Sequence, residues 1–140
     1  MELEKLCRGD FVDSGRGEPK VRFTYRGLVS FNRAAVVHLK LCDRSGYYGV
    51  SVCRDKKVRG DFAIMRDDSD GWRLRGAVSG GVVFNCVGLC RCVIDASWER
   101  SCESHVVGSV KPSSWVFRIA RLPLDDDKNS GVYALIRKKI

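Results

Sequence analysis

The sequence predicts a mostly β, single-domain protein, an antiparallel β barrel or sandwich of about eight strands with one or two short helices. Three observations carry that expectation. Bulky apolar and polar side chains alternate with period two, as in Val21-Arg22-Phe23-Thr24-Tyr25-Arg26, the pattern of strands with one buried and one wet face. Clusters of Gly, Ser and Asp punctuate those runs at hairpin spacing. No shift of composition divides the 140 residues, of which 44% are apolar and 30% charged, so the chain has the balance of one globular core rather than of a disordered segment.

In chain order, residues 2–7 suggest a short helix. Gly9, Gly15, Gly17 and Pro19 then read as loop, which makes 1–20 a loosely attached N-terminal segment of the 1–140 domain. The first strand covers Val21 to Tyr25 and is ended or bulged at Gly27. Residues 35–42 are dense in β-branched and aliphatic side chains and are expected as a strand, turned by Asp43-Arg44-Ser45-Gly46 into a partner over 47–53. A charged connection over 54–59 leads to a short strand at 62–65. The cluster Asp67-Asp68-Ser69-Asp70-Gly71 then turns the chain into Trp72-Arg73-Leu74-Arg75, a second hairpin. Beyond Ser79-Gly80-Gly81, residues 82–95 are the most apolar stretch and are expected as a central strand buried on both faces. Residues 97–105 are the best internal helix, with Ser97 as its cap. Strands at 115–122 and 132–137 flank an acidic loop. The expected core is Phe23, Leu39, Val50, Ile64, Leu74, Phe84, Phe117 and Ile136.

Net charge is +8, with 25 Lys and Arg against 17 Asp and Glu. Residues 1–60 carry +6, 61–100 carry −1 and 101–140 carry +3. A balance of this sign favours polyanionic partners, because each neutralised phosphate releases condensed counterions. Met1 to Leu6 offers no apolar h-region of a targeting peptide, and the longest charge-free stretch, Gly76 to Cys90, is too short and too polar to span a bilayer. No Asn lies in a glycosylation sequon, and seven cysteines cannot all pair within one chain. A reducing compartment, cytoplasm or nucleus, is therefore expected, with no membrane partner.

Cysteine raises a metal reading. Cys90, Cys92, Cys102 and His105 are soft ligands; Cys-x-Cys on a strand would aim two thiols the same way, and Cys-x-x-His on a helix shares a face, so zinc is conceivable. The spacing matches no standard finger or ribbon. The competing interpretation makes Cys86, Cys90 and Cys92 small buried hydrophobes beside Phe84 and Ile94. No cofactor is assigned on this basis. A thiol enzyme would need His38 or His105 as base. His38 lies in an apolar run and His105 is merely adjacent in sequence to Cys102, and the chain holds no Gly-x-Ser-x-Gly, Walker or Gly-x-Gly-x-x-Gly motif. No catalytic residue is assigned. Asp67 to Gly71 fails as an EF-hand, since Arg66 and Ala77 would occupy ligand positions. Arg-Gly-Asp-Phe occurs at 8–11 and at 59–62 as a coincidence of turn residues.

Arginine placement is the remaining signal. Arg22 and Arg26 share a strand face, Arg73 and Arg75 share another, and Arg118 alternates with Phe117 and Ile119. On one sheet these outward guanidinium groups would fork onto phosphates, with Tyr25, Tyr47 or Trp72 for stacking. Ordinary solvation of a half-buried sheet explains the same pattern. The leading expectation is a basic nucleic-acid-binding accessory module, RNA before DNA, with a texture common among viral accessory proteins. Its rivals are a protein-interaction or structural subunit of a larger assembly, and a thiol- or metal-dependent enzyme. A continuous arginine face favours the first, and scattered arginines beside an apolar patch favour the second.

Overall fold

The computed structural model describes residues 2–3, 17–77, 80–102, 110–124 and 131–137. The strands are β1 (Lys20–Thr24), β2 (Leu28–Phe31), β3 (Cys42–Asp43), β4 (Gly46–Tyr47), β5 (Gly49–Arg54), β6 (Phe62–Arg66), β7 (Trp72–Arg73), β8 (Arg75–Gly76), β9 (Val82–Asn85), β10 (Ser114–Ile119) and β11 (Val132–Arg137). Among the described residues two helices join them, α1 (Arg33–Leu39) and α2 (Val87–Cys102).

Nine strands form one sheet in the order β7-β5-β6-β11-β10-β1-β2-β9-β8, and β3 and β4 form a small separate ribbon. Every pairing is antiparallel. The two edge strands, β7 and β8, are separated only by Leu74, whose N–H reaches the Tyr48 carbonyl at 3.3 Å. One stretch of chain therefore pairs with β5 at its start and with β9 at its end. It acts as an interrupted stave that brings the sheet's two ends together, leaving a near-closed barrel of eight staves. Closure removes the long open edges on which strands of other chains would pair.

The barrel interior follows from alternation. Val21 and Phe23 of β1, Val29 and Phe31 of β2, Val82 and Phe84 of β9, Phe117 and Ile119 of β10, and Ile64 of β6 are all buried. Phe23 meets Phe117 edge to face at 5.7 Å between ring centres, and Phe62 meets Phe117 at 6.3 Å, a favourable arrangement for aromatic quadrupoles. Trp72 lies parallel to Phe84 at 5.3 Å and ties the seam stave to β9.

Each helix closes one end. The Asn32 side chain caps α1, accepting from Ala35 N–H at 2.9 Å and from Lys20 N–H at 3.0 Å, while Lys40 ends it in the left-handed region. His38 Nε2 meets the Ala120 carbonyl at 3.0 Å and the Lys40 carbonyl accepts from Arg66, so α1 lies across the end where β6 and β10 finish. At the opposite end α2 starts against the β1–β2 turn, where the Cys86 N–H donates to the Gly27 carbonyl at 2.8 Å, and it finishes beside β6, where Arg100 pairs with Asp61. No helix among the described residues is long and apolar enough to cross a membrane.

Several local expectations need correction. Residues 35–42 are not a strand: Asn32 caps a helix that buries Ala34, Ala35, Val36 and Leu39, a helical spacing overridden in the sequence by β-branched content. Residues 82–95 are not one strand either. The strand ends at Asn85 and α2 begins at Val87, burying Cys90, Val93, Ile94, Ala96 and Ser97 on one helical face. Ser97 is therefore a buried mid-helix residue and not a cap. The second expected hairpin fails because β6 pairs with β5 and β11, while β7 pairs with β5. The first shrinks to the β3–β4 ribbon. Strand β2 went unexpected although Leu28 to Phe31 alternates in burial. Seven of the eight expected core residues are buried; Ile136 is 39% exposed on the outer wall, opposite Arg118. The expected helix over 2–7 lies, but for residues 2 and 3, outside the described residues. The first Arg-Gly-Asp-Phe also lies outside them.

Candidate nucleic-acid interface

The outward residues of β8, β9, β2, β1 and β10 form a continuous cross-strand row: Arg75 opposite Val83, Val83 opposite Ser30, Ser30 opposite Arg22, and Arg22 opposite Val116. Arg75 and Arg22 stand three strand spacings apart on this wall, about 14 Å at ~4.8 Å per spacing. Both guanidinium groups are oriented by neutral partners. Arg75 Nη2 donates to Asn85 Oδ1 at 2.7 Å and Arg22 Nη2 to Ser114 Oγ at 3.3 Å. Neutral partners fix direction without neutralising charge.

Arg26 continues the wall in the β1–β2 turn and is exposed. Beside it Tyr25, at the end of β1, carries two cations on its ring, Arg91 of α2 at 4.9 Å and Lys111 Nζ at 4.6 Å from the ring centre. Arg91 Nε also donates to the Tyr25 carbonyl at 3.3 Å, and Lys111 to the Tyr25 hydroxyl at 3.2 Å. Asp95 at 2.7 Å and the Tyr25 hydroxyl hold the Lys111 ammonium above its ordinary pKa. Among the described residues, none of Arg22, Arg26, Arg75 and Arg91 is ion-paired with a carboxylate.

The other expected contacts separate. Arg118 points outward one row away but pairs with Glu18 at 2.9 Å, and that contact lowers the Glu18 pKa. Arg73 is exposed on β7 toward the α1 end, in a shallow polar depression with Tyr48, Asp68 and Gly71. Tyr47 is 46% exposed and its hydroxyl overhangs Gly76, so it borders the Arg75 stave. Trp72 is half-buried, and one of its ring faces is taken up by Phe84. Arg91 and Lys111 were not anticipated; treating 87–102 as a helix would have put Arg91 on a wet face.

Among the described residues the soft ligands do not converge. Helical geometry places Cys90 inward, fully buried, and Cys92 outward and exposed, where a strand would have aligned them. Burial pushes the Cys90 thiol pKa up. Cys102 is exposed at the end of α2 and His105 lies outside the described residues. Of the three cysteines expected on one core face, Cys90 alone is fully buried and Cys86 is half-buried. Among the described residues no three His, Cys, Asp or Glu side chains are grouped to hold a metal. The Asp67 carboxylate is occupied by Ser51 at 2.6 Å and by the Ser69 and Asp70 N–H groups, a self-satisfied turn.

The opposite wall differs in chemistry. Ala63 and Met65 of β6 and Val132 and Ala134 of β11 lie outside the barrel, and with Cys53 and Leu124 they line a groove of about 680 Å³ that the charged residues Arg54, Asp55, Lys56 and Asp61 also border. No family model, curated protein or solved structure matches the chain.

Proposed function

We propose that the protein is a nucleic-acid-binding accessory module, with RNA the preferred ligand, acting through the wall that carries Arg75 and Arg22 and through the adjoining rim of Arg26, Arg91 and Tyr25. The observation that supports this is the set of four arginines with no carboxylate partner among the described residues, two of them on one outward row. Phosphate contacts of this kind give affinity and register without base identity. A cytoplasmic or nuclear setting goes with this function, because seven cysteines cannot all pair within one chain.

The test is a titration of single-stranded RNA at several salt concentrations. Binding should weaken linearly in log–log form, and Arg22→Ala with Arg75→Ala should flatten the slope by about 0.7 per lost contact. Both positions are exposed, so each change should alter stability by less than about 0.5 kcal/mol. Absence of salt-sensitive binding at micromolar protein refutes the proposal. The groove on the β6–β11 wall, with Ala63, Met65, Val132 and Ala134 along it, favours a second reading, a subunit that docks on another protein; it takes over if the RNA titration fails.

A further inference from the structure

The loop between β5 and β6 is a second cationic surface that the nucleic-acid reading does not use. Arg54, Lys56 and Lys57 are exposed and, among the described residues, none is ion-paired with a carboxylate. The loop is also held in shape. Asp55 Oδ1 accepts from the Lys57 N–H at 2.7 Å and from the Val58 N–H at 3.3 Å, and the Asp55 N–H donates to the Asp61 carbonyl at 2.9 Å. Of its two acids, Asp55 is thus turned onto the backbone and Asp61 pairs with Arg100 and Arg137. Gly60, at φ +88°, packs against Ala96 and Arg100 of α2, and between loop and helix runs an open groove of about 650 Å³.

The position of this loop follows from the strand order. The β5–β6 loop and the β1–β2 turn both lie at the α2 end, and two staves separate them in either direction round the barrel. They face each other across the barrel mouth, with α2 laid between them. The acids on the intervening helix are each engaged by a neighbouring cation, Asp95 by Lys111 and Glu99 by Arg59, both at 2.7 Å. A phosphate chain crossing α2 therefore meets neutralised carboxylates between two cationic poles.

We infer that the loop at 54–59 is a second contact for the same single-stranded nucleic acid, which crosses the capped end of the barrel along α2 from the Arg26–Arg91 rim to Lys56 and Lys57. This rests on the nucleic-acid reading and adds a footprint to it. From Arg91 at the rim to Glu99, beside which the loop lies, the helix rises about 12 Å at ~1.5 Å per residue, the length of about four stacked nucleotides at ~3.4 Å. Oligomers shorter than this reach one pole, and longer ones reach both.

The experiment is a length series of oligouridylate, about 2 to 12 nucleotides, titrated by fluorescence anisotropy at several salt concentrations against the wild type and the Lys56→Ala, Lys57→Ala double variant. Wild-type affinity should rise in a step once the oligomer passes about four nucleotides, and the salt slope should steepen by about 1.4 for two added contacts. The double variant should lose the step and the added slope, keep its affinity for the shortest oligomers within about twofold, and keep its melting temperature, since both side chains are exposed. Salt-sensitive binding with no step, or a step that survives in the variant, overturns the inference while leaving the rim as the binding surface. Equal loss at all lengths also overturns it, because the loop would then be part of the primary contact. A wild type that binds no oligomer at any length overturns both this inference and the function it rests on.

Discussion

Gly27→Ala tests the junction that sets α2 against the sheet. Gly27 lies in the β1–β2 turn at φ +108°, and a Cβ there would fall 2.6 Å from Val87 Cγ2 and 3.0 Å from the Val87 Cα and N. Two separate costs follow. An L-residue held in this backbone region loses about 1–3 kcal/mol, and forcing a methyl group against the backbone of α2 adds about 1–3 kcal/mol of overpacking. Stiffening the unfolded chain returns about 0.4–1 kcal/mol. The net loss should be about 1–5 kcal/mol, a large fraction of the ~5–15 kcal/mol by which small domains are folded. Gly80→Ala separates the two terms: Gly80 sits at φ +87° with nothing within 4 Å of its ideal Cβ, so it carries the backbone cost alone. Urea unfolding of both variants reads the difference as a shift in midpoint at constant slope. If Gly27→Ala costs no more than Gly80→Ala, then α2 does not pack on the turn as described and the geometry of the Tyr25–Arg91 rim is wrong with it.

Other expectations are accessible by simpler means. Hydrogen bonds from Ser45 and Tyr48 hold the Asp43 carboxyl at about 2, and Ser51 lowers that of Asp67. Because a depressed folded-state pKa stabilises above the unfolded value of ~3.9 and that stability is lost as pH falls through the folded value, melting temperature should drop between about pH 4 and pH 2. Asp43→Asn should show a shallower drop; an identical profile would exclude this group as a source. Alkylation followed by mass spectrometry should label exposed Cys92 and Cys102 well before buried Cys90, whose thiol is shifted upward, and early labelling of Cys90 would contradict the inward face of α2. Trp72→Ala should lower stability by about 3 kcal/mol, as for a large aromatic removed from a core, and leave the salt dependence of RNA binding unchanged; the converse result would return Trp72 to the binding surface.

The barrel was legible where alternation is strict. Val21 and Phe23, Phe117 and Ile119, and Ile64 show in sequence the period that the structure uses, since a half-buried strand must present alternate side chains to water. The helices were hidden because Val36 and Val37 in α1, and Cys90, Cys92, Val93 and Ile94 in α2, read as strand residues. In α2 the burial of Cys90, Val93, Ile94 and Ser97 follows a helical period, but the polar interruptions at Arg91, Cys92 and Asp95 look like noise in a strand. Asn32 was the overlooked signal for α1, with its side chain bound three residues onward. Strand order was not legible at all: nothing local announces that the Trp72 stave passes over β6, which precedes it in sequence, and closes the sheet from β5 to β9. The arginines were legible as outward residues, yet which of them is left unpaired depends on contacts far along the chain, as between Glu18 and Arg118.

Closure and charge are linked through that seam. The residue between β7 and β8 is buried Leu74, which directs its neighbours Arg73 and Arg75 outward on either side of the interruption. Because β8 pairs with β9 and β7 with β5, the two arginines belong to different neighbourhoods although only two positions separate them. Arg75 joins the row that runs to Arg22, whereas Arg73 faces the β3–β4 ribbon and the Asp67–Asp70 turn. A sheet left open at this point would give Arg73 and Arg75 one common face. The break that closes the barrel instead assigns one cation to the basic wall and leaves the other beside acidic residues, so Arg75→Ala should weaken polyanion binding more than Arg73→Ala does, even though the two are equally exposed in kind and carry the same charge.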